Sequence, residues 1–279
     1  MTAQTAAPER SNFFYSFSLL PRREREAMRR IYDFCRYTDD LVDESADGIE
    51  EKKEKLQQWR YEVEACYNGN PLHPIMRGLS KVLASFDIPK EYLLSLIDGV
   101  EMDLVKNRYE TFEDLQKYCY AVASTVGLMC IQVFGYRHEE TREYAINLGY
   151  ALQITNILRD VRQDAAIGRI YLPLEDLRAF NYDEESLIAS QYDSRFIQLM
   201  KFETSRAKEF YEKARYFLEK DERPAMFAAE IMDAIYFRIL RKIEIAKYNV
   251  FDRRIRVSST HKVLIATKFW LTSRIHSLL

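Results

Sequence analysis

The chain has 279 residues, 47% hydrophobic and 30% charged, and its 41 Lys and Arg nearly balance 43 Asp and Glu for a formal net charge of -2. That balance excludes a globally basic nucleic-acid binder and a disordered acidic chain. With only 8 Gly and 7 Pro, the sequence is too poor in turn formers for a sandwich, barrel or propeller, which leaves long helices.

Helical periodicity runs through nearly the whole chain, with no convincing strand alternation. Pro21 precedes a basic and apolar helix over residues 22–37, which continues into the acidic stretch 38–44. A second helix covers 50–67 and stops at Asn68-Gly69-Asn70-Pro71, a strong turn. Helices follow over 73–85 and 89–104, with Pro89 at the start of the latter. A long helix over 111–134 opens on Thr111-x-x-Asp114, a capping-box pattern. Another runs over 139–165 until Gly168 and Pro173 mark a loop; 184–188, 193–219 and 223–248 complete the set. No linker, repeat or shift in composition divides the chain, so one all-α domain over 1–279 is predicted.

The four cysteines (Cys35, Cys66, Cys119, Cys130) form no CxxC pair, and the four histidines (His73, His138, His261, His276) lack metal-ligand spacing. Buried free thiols in a reducing cytosol are expected, and zinc is not. The first ten residues are short of the apolar run of a signal peptide, and no stretch approaches about 18 uninterrupted apolar residues, so no spanning helix is expected.

Two segments carry chemistry. At about 100° per residue, Tyr32, Arg36, Asp39 and Asp43 fall within an arc of about 60°, with Asp40 beside it. Gln153, Asn156, Asp160 and Asp164 share an arc of about 80° on a second helix. A single such stripe is ordinarily a solvated polar face. Here both stripes lie inside strongly apolar helices, and carboxylates about 6 Å apart repel by roughly 3 kcal/mol at an effective dielectric near 20. A divalent cation would reverse that repulsion. Carboxylate and amide oxygens without thiol or imidazole select hard ions, Mg2+ first and Mn2+ second. Arg36 and Arg159 lie within the two stripes and suit bidentate contact with phosphate, so the composite points to a diphosphate clamped by metal between two helices.

At these residues the sequence resembles the squalene/phytoene synthase family of head-to-head prenyl transferases. Ser11-Asn12-Phe13-Phe14-Tyr15 followed by Leu19-Leu20-Pro21 is similar to the family's N-terminal flap, and residues 32–44 to its first aspartate-rich motif. Residues 118–127 resemble its central tyrosine segment. Residues 152–164 with Gly168-Arg169-Ile170-Tyr171-Leu172-Pro173 resemble its second motif, and 236–254 its closing stretch. Two departures are visible, Asn12 where Ser is commoner and Ser124 where Gly is commoner.

The resemblance implies an isoprenoid synthase fold, a single helical bundle around a central cavity that takes two allylic prenyl diphosphates. It implies Mg2+ on Asp39, Asp43, Asn156, Asp160 and Asp164, with Asp40 in the same motif. Arg36, Arg159 and Tyr171 match positions near the diphosphates, Gln153 a polar cavity contact, and Arg254 a late basic residue. Tyr32, Tyr120 and Tyr236 match aromatic or phenolic cavity positions, and Ser11 and Phe13 belong to the substrate-facing flap. The general look of the chain, especially 223–226 and from Tyr236 onward, resembles bacterial hopanoid-pathway enzymes. The expectation is therefore condensation of two farnesyl diphosphates to presqualene diphosphate, or onward to a squalene-type C30 product, with NADPH not expected. The alternative is phytoene synthase acting on two geranylgeranyl diphosphates. A reading from another class is a non-catalytic assembly or lipid-binding factor on the same fold, which would be expected to lose some acidic ligands.

Two further groups complete the inventory. Asp98, Glu101 and Asp103 read as a surface or supporting acidic group, with a ligand role as the lesser alternative. From residue 253 on there are six basic residues (Arg253, Arg254, Arg256, Lys262, Lys268, Arg274) and no Asp or Glu, interleaved with apolar side chains. This is either a terminal helix packed on the domain or an interfacial segment resting on anionic lipid. The second option makes the protein cytoplasmic, with peripheral contact at the inner membrane face.

Overall fold

The computed structural model describes residues 12–43 and 47–276. Among them there is no strand, and the helices follow the periodicity closely. After the short α1 (Asn12–Phe17), α2 (Arg22–Asp43) buries Met28, Ile31, Phe34, Thr38 and Val42, a stripe of three- and four-residue steps. α3 (Ile49–Tyr67) answers with Leu56, Trp59, Val63 and Cys66. Phe34 stacks on Trp59 at 5.8 Å, while the Trp59 indole donates to Thr38 Oγ1 at 2.9 Å, which fixes the rotation of the first acidic helix. α4 (Pro74–Ser85) starts on His73, whose Nδ1 accepts from the Ile75 amide, with Pro at the first turn. α5 (Lys90–Val105) follows.

The predicted helix over 111–134 is three pieces. Thr111 caps α6 (Phe112–Cys119) by accepting from the Asp114 amide at 3.2 Å. A π-helical turn (Tyr120–Ser124) interrupts the run before α7 (Thr125–Phe134). The turn is clasped between two glycines on neighbouring helices, Gly99 of α5 and Gly149 of α8 (Glu140–Ala166). A Cβ at Gly149 would stand 2.5 Å from Ser124 Cα, and one at Gly99 would stand 2.7 Å from Ala121 Cβ. Only glycine admits this approach, and overpacking it would cost about 1–3 kcal/mol. Ser124 spends its hydroxyl on the Ile146 carbonyl at 2.8 Å.

α8 is the central helix. It packs against α7, the π turn, and two later long helices, α11 (Ser194–Phe217) and α12 (Phe227–Ile245), after the short α9 (Leu174–Ala179) and α10 (Glu184–Ile188). α13 (Ser259–His276) closes the fold against α1 and α12. By length and composition the run Phe112–Phe134 would pass for a membrane span; here it is an interior helix, more than half buried against α5 and α8. Its Val, Leu, Ile, Met, Cys and Ala raise the mean hydropathy without an unbroken apolar run, so the expectation that no stretch of about 18 uninterrupted apolar residues occurs is not contradicted.

Gly168, at φ +82°, reverses the chain after α8. The following loop bridges to the one after α5, where Ile170 N donates to Asn107 O at 3.0 Å and Leu174 N to Tyr109 O at 2.9 Å. That crossing carries Arg169 and Tyr171 onto the end of α5.

Candidate active site

A cavity of about 1690 Å³ opens between α1, α2, α5, α7, α8, α12 and the segment 254–262. Phe17, Ile31, Phe134, Leu148 and Met232 are among its apolar walls. Of the residues singled out from sequence, Tyr32, Arg36 and Asp39 line it from α2, and Gln153, Asn156 and Arg159 from α8. Phe13, Tyr236 and Arg254 also border it, with Phe13 packed on the Tyr32 ring at 5.8 Å. Asp40, Asp43, Asp160, Asp164 and Tyr171 stand at or behind its rim, and Tyr120 does not border it. Ser11 lies outside the described residues.

One end of the cavity is acidic. Burial, followed by the proximity of Asp43, Asp40 and Asp103, pushes the Asp39 carboxyl up to about 7 against the opposing pull of Arg36. Its carboxyl is flanked by protein yet open to the cavity lumen, so the repulsion is felt while water still reaches it. Asp164 is likewise pushed up to about 7, by burial and then by Asp160. Asp160 goes the other way. Burial alone would raise it, but two guanidinium forks outweigh burial and hold it below its ordinary value. Arg254 donates from Nε and Nη2 at 2.8 Å each, and Arg159 from Nε at 2.9 Å and from Nη2. Asp40 pairs with Arg36 at 2.7 Å and Asp43 with Arg169 at 3.1 Å.

Asp103 belongs to this end, in a supporting position, while the surface reading of its group holds for Asp98 and Glu101. Asp98 and Glu101 do pair off with Arg60, at 2.6 Å each, on the far face of α5. Asp103 instead accepts from Tyr171 at 2.8 Å and Tyr118 at 3.0 Å, with Arg169 Nη1 3.9 Å away. It follows Leu96, Gly99 and Val100 on the buried stripe of that helix, a signal present in the spacing. The missed residues are basic. Lys242, Arg256 and Lys262 also border the cavity. Lys242 Nζ donates to the Arg256 carbonyl at 2.8 Å, and Lys262 lies 5.1 Å over the Tyr15 ring, its pKa lowered by burial and then by Arg159 and Arg256.

Among the described residues no three Asp, Glu, His or Cys side chains converge closely enough to hold an ion as they stand. The donor set nonetheless fits a hard cation in kind. Asn156 Oδ1 is buried without a hydrogen-bond partner, on the stripe of Asp160 and Asp164, and two carboxyls carry uncompensated repulsion.

An all-α bundle around a large cavity with apolar and polar walls, its carboxylates interleaved with arginines, suits an elongated apolar substrate with an anionic head. Residues 6–261 match the family model described as squalene/phytoene synthase. The chain belongs to the squalene/phytoene synthase family, whose members are prenyl transferases. It is 37% identical to phytoene synthase of Arthrospira platensis, over 98% of this chain and 92% of that one. It is 38% identical to 15-cis-phytoene synthase of Synechocystis, over 98% and 84%. Its fold is similar to a dehydrosqualene synthase crystallised with a ligand, at TM-score 0.81, 30% identity and coverage of 95% and 92%. It is also similar to squalene synthase HpnC from Alicyclobacillus acidocaldarius, at TM-score 0.79, 28% identity and coverage of 85% and 89%.

Proposed function

We propose that the protein condenses two geranylgeranyl diphosphates head to head into a phytoene-type C40 product. The observation that carries this is that three cyanobacterial relatives matched at 36–38% identity, over 93–98% of the chain, are phytoene synthases. This reverses the order of preference drawn from sequence, which rested on the look of 223–226 and the chain from Tyr236 onward rather than on cavity-floor residues. The farnesyl reading keeps support from the two solved structures named above. Incubation with C15 and C20 diphosphates separately, followed by mass analysis, decides it. Faster turnover of the C20 donor to a C40 hydrocarbon is expected, and product from the C15 donor alone would overturn the choice.

In this reading Asp39, Asp43, Asn156, Asp160 and Asp164 hold Mg2+, with Asp40 steadying Arg36. Bound there, the cation would neutralise charge on a departing diphosphate. Arg36, Arg159 and Lys262 bind the diphosphate oxygens, and Gln153 orients the allylic end. The faces of Tyr32 and Tyr236 favour the positive charge that develops on carbon, and the apolar walls keep water from it. The second substrate's double bond attacks that carbon, and loss of a proton to a tyrosine hydroxyl or to the released diphosphate closes a cyclopropane that still carries the second diphosphate. Departure of that diphosphate, opening of the ring and loss of a second proton then give the C40 hydrocarbon. Tyr171, bonded to Asp103, steadies the acidic rim.

We also propose peripheral contact of a cytoplasmic protein with the inner membrane face through α13. Val263, Leu264 and Leu271 are exposed on it, Phe14 is exposed on neighbouring α1, and the segment carries basic residues without acidic ones. Each such Lys or Arg adds about 1 kcal/mol of attraction near an anionic surface. Co-sedimentation with anionic liposomes should weaken with salt and with truncation after Ser258. Indifference to lipid charge, salt and truncation would rule α13 out.

A further inference from the structure

The four hydrogen bonds on Asp160 have a consequence for how a cation reaches it. A carboxylate offers about four acceptor positions, and here Arg159 Nε and Arg254 Nε occupy Oδ1 while the two Nη2 groups occupy Oδ2. Asp39 and Asp164 carry no such fork. We infer that Arg254 is a latch on Asp160, a positioning residue that must let go before Asp160 can ligate a divalent cation, and that turns into the cavity when it does. The inference rests on the proposed metal role of Asp160.

The choice of Arg254 over Arg159 follows from their settings. Arg159 is adjacent on α8, with only 12% of its side chain exposed, and has Tyr236 as a further partner. Arg254 reaches across from the segment before α13 and is 41% exposed, so water can solvate it when it moves. Its backbone stays put. Val250, Phe251, Ile255 and Val257 are buried, Arg162 donates to the Phe251 carbonyl, and Lys242 donates to that of Arg256. Only the side chain swings, and it already borders the cavity near Arg256 and Lys262. Cation entry at Asp160 and anion capture by Arg254 are then coupled, and the coupling is reciprocal. The acidic end would fill in order, Asp39 and Asp164 first and Asp160 last.

Titration of the full chain with Mn2+ alone, followed by the electron paramagnetic resonance signal of the free ion, tests this without turnover. Arg254→Gln should bind Mn2+ roughly fivefold tighter or more than the parent. Arg256→Gln removes a charge from the same cavity wall but makes no pair with Asp160, and should change affinity by less than about twofold. Adding Asp160→Asn to Arg254→Gln should abolish the gain. Unchanged or weaker binding in Arg254→Gln, or equal tightening in both glutamine variants, would overturn the latch while leaving the metal role intact. If Asp160→Asn alters Mn2+ binding in neither background, the metal role of Asp160 fails, and the latch with it.

Discussion

Asp39→Asn and Asp160→Asn should each lower turnover by about three orders of magnitude or more, since cation-borne charge stabilisation is worth several kcal/mol and each 1.4 kcal/mol is tenfold. The two variants should differ in stability. Asp39 contributes repulsion to its helix, so its amide isostere relieves strain. Its folded pKa of about 7 lies above the ordinary carboxylate value of about 3.9, so the folded protein keeps a proton that the unfolded chain gives up. Stability is then fully present below about pH 4, falls as pH rises to about 7, and is level above that. Asp164 adds the same slope in the same window. In chelator, the parent should unfold at a lower temperature at pH 8 than at pH 5, and Asp39→Asn should flatten part of that difference. Asp160→Asn loses two guanidinium forks instead, at a cost of about 2 kcal/mol, or about 6 °C in a chain of this size. Because a ligating carboxylate must first shed its proton, the Mg2+ needed for half-maximal rate should fall as pH rises through 7. Retained turnover in both variants would remove these residues from the metal site.

The two acidic stripes were legible because helical spacing turns a few residues of sequence into one face, and α2 and α8 are long, regular and half-buried. The Thr111 cap and the Asn68-Gly69 turn were legible for the same local reason: each is a contact between near neighbours in the chain. The π turn was not, because what holds it is the absence of side chains at Gly99 and Gly149, some twenty-five residues away on either side. Lys242 on α12, Arg256 on the segment before α13 and Lys262 on α13 meet at the cavity only in the folded chain, which no local spacing announces. Arg254 was singled out, but its engagement with Asp160, 94 residues earlier, is a tertiary fact. Pairing of that kind has no local signature, whereas the ligand stripes do.

Asp103→Asn should lower turnover by about a hundredfold and weaken Mn2+ binding, while Asp98→Asn and Glu101→Gln, on the same helix, stay within about twofold. The difference comes from what each carboxylate faces. Asp98 and Glu101 share Arg60 at the surface, where a charge pair is worth little. Asp103 holds the Tyr171 and Tyr118 hydroxyls and stands between Asp43 on one acidic stripe and Asp164 on the other, with Arg169 reaching both it and Asp43. The amide can keep one acceptor for a tyrosine and offer its NH2 group to the other, so the fold should survive with little change in melting temperature. What it cannot keep is the negative charge that faces Arg169, whose guanidinium is then drawn wholly toward Asp43 and competes there with a cation. Asp103→Ala should go further and destabilise the protein by about 2–4 kcal/mol, since two buried hydroxyls lose their acceptor. Rates and Mn2+ affinity for the four variants, with melting temperatures alongside, separate the two effects. Normal Mn2+ affinity and normal rate in Asp103→Asn would show that its charge plays no part at the acidic end.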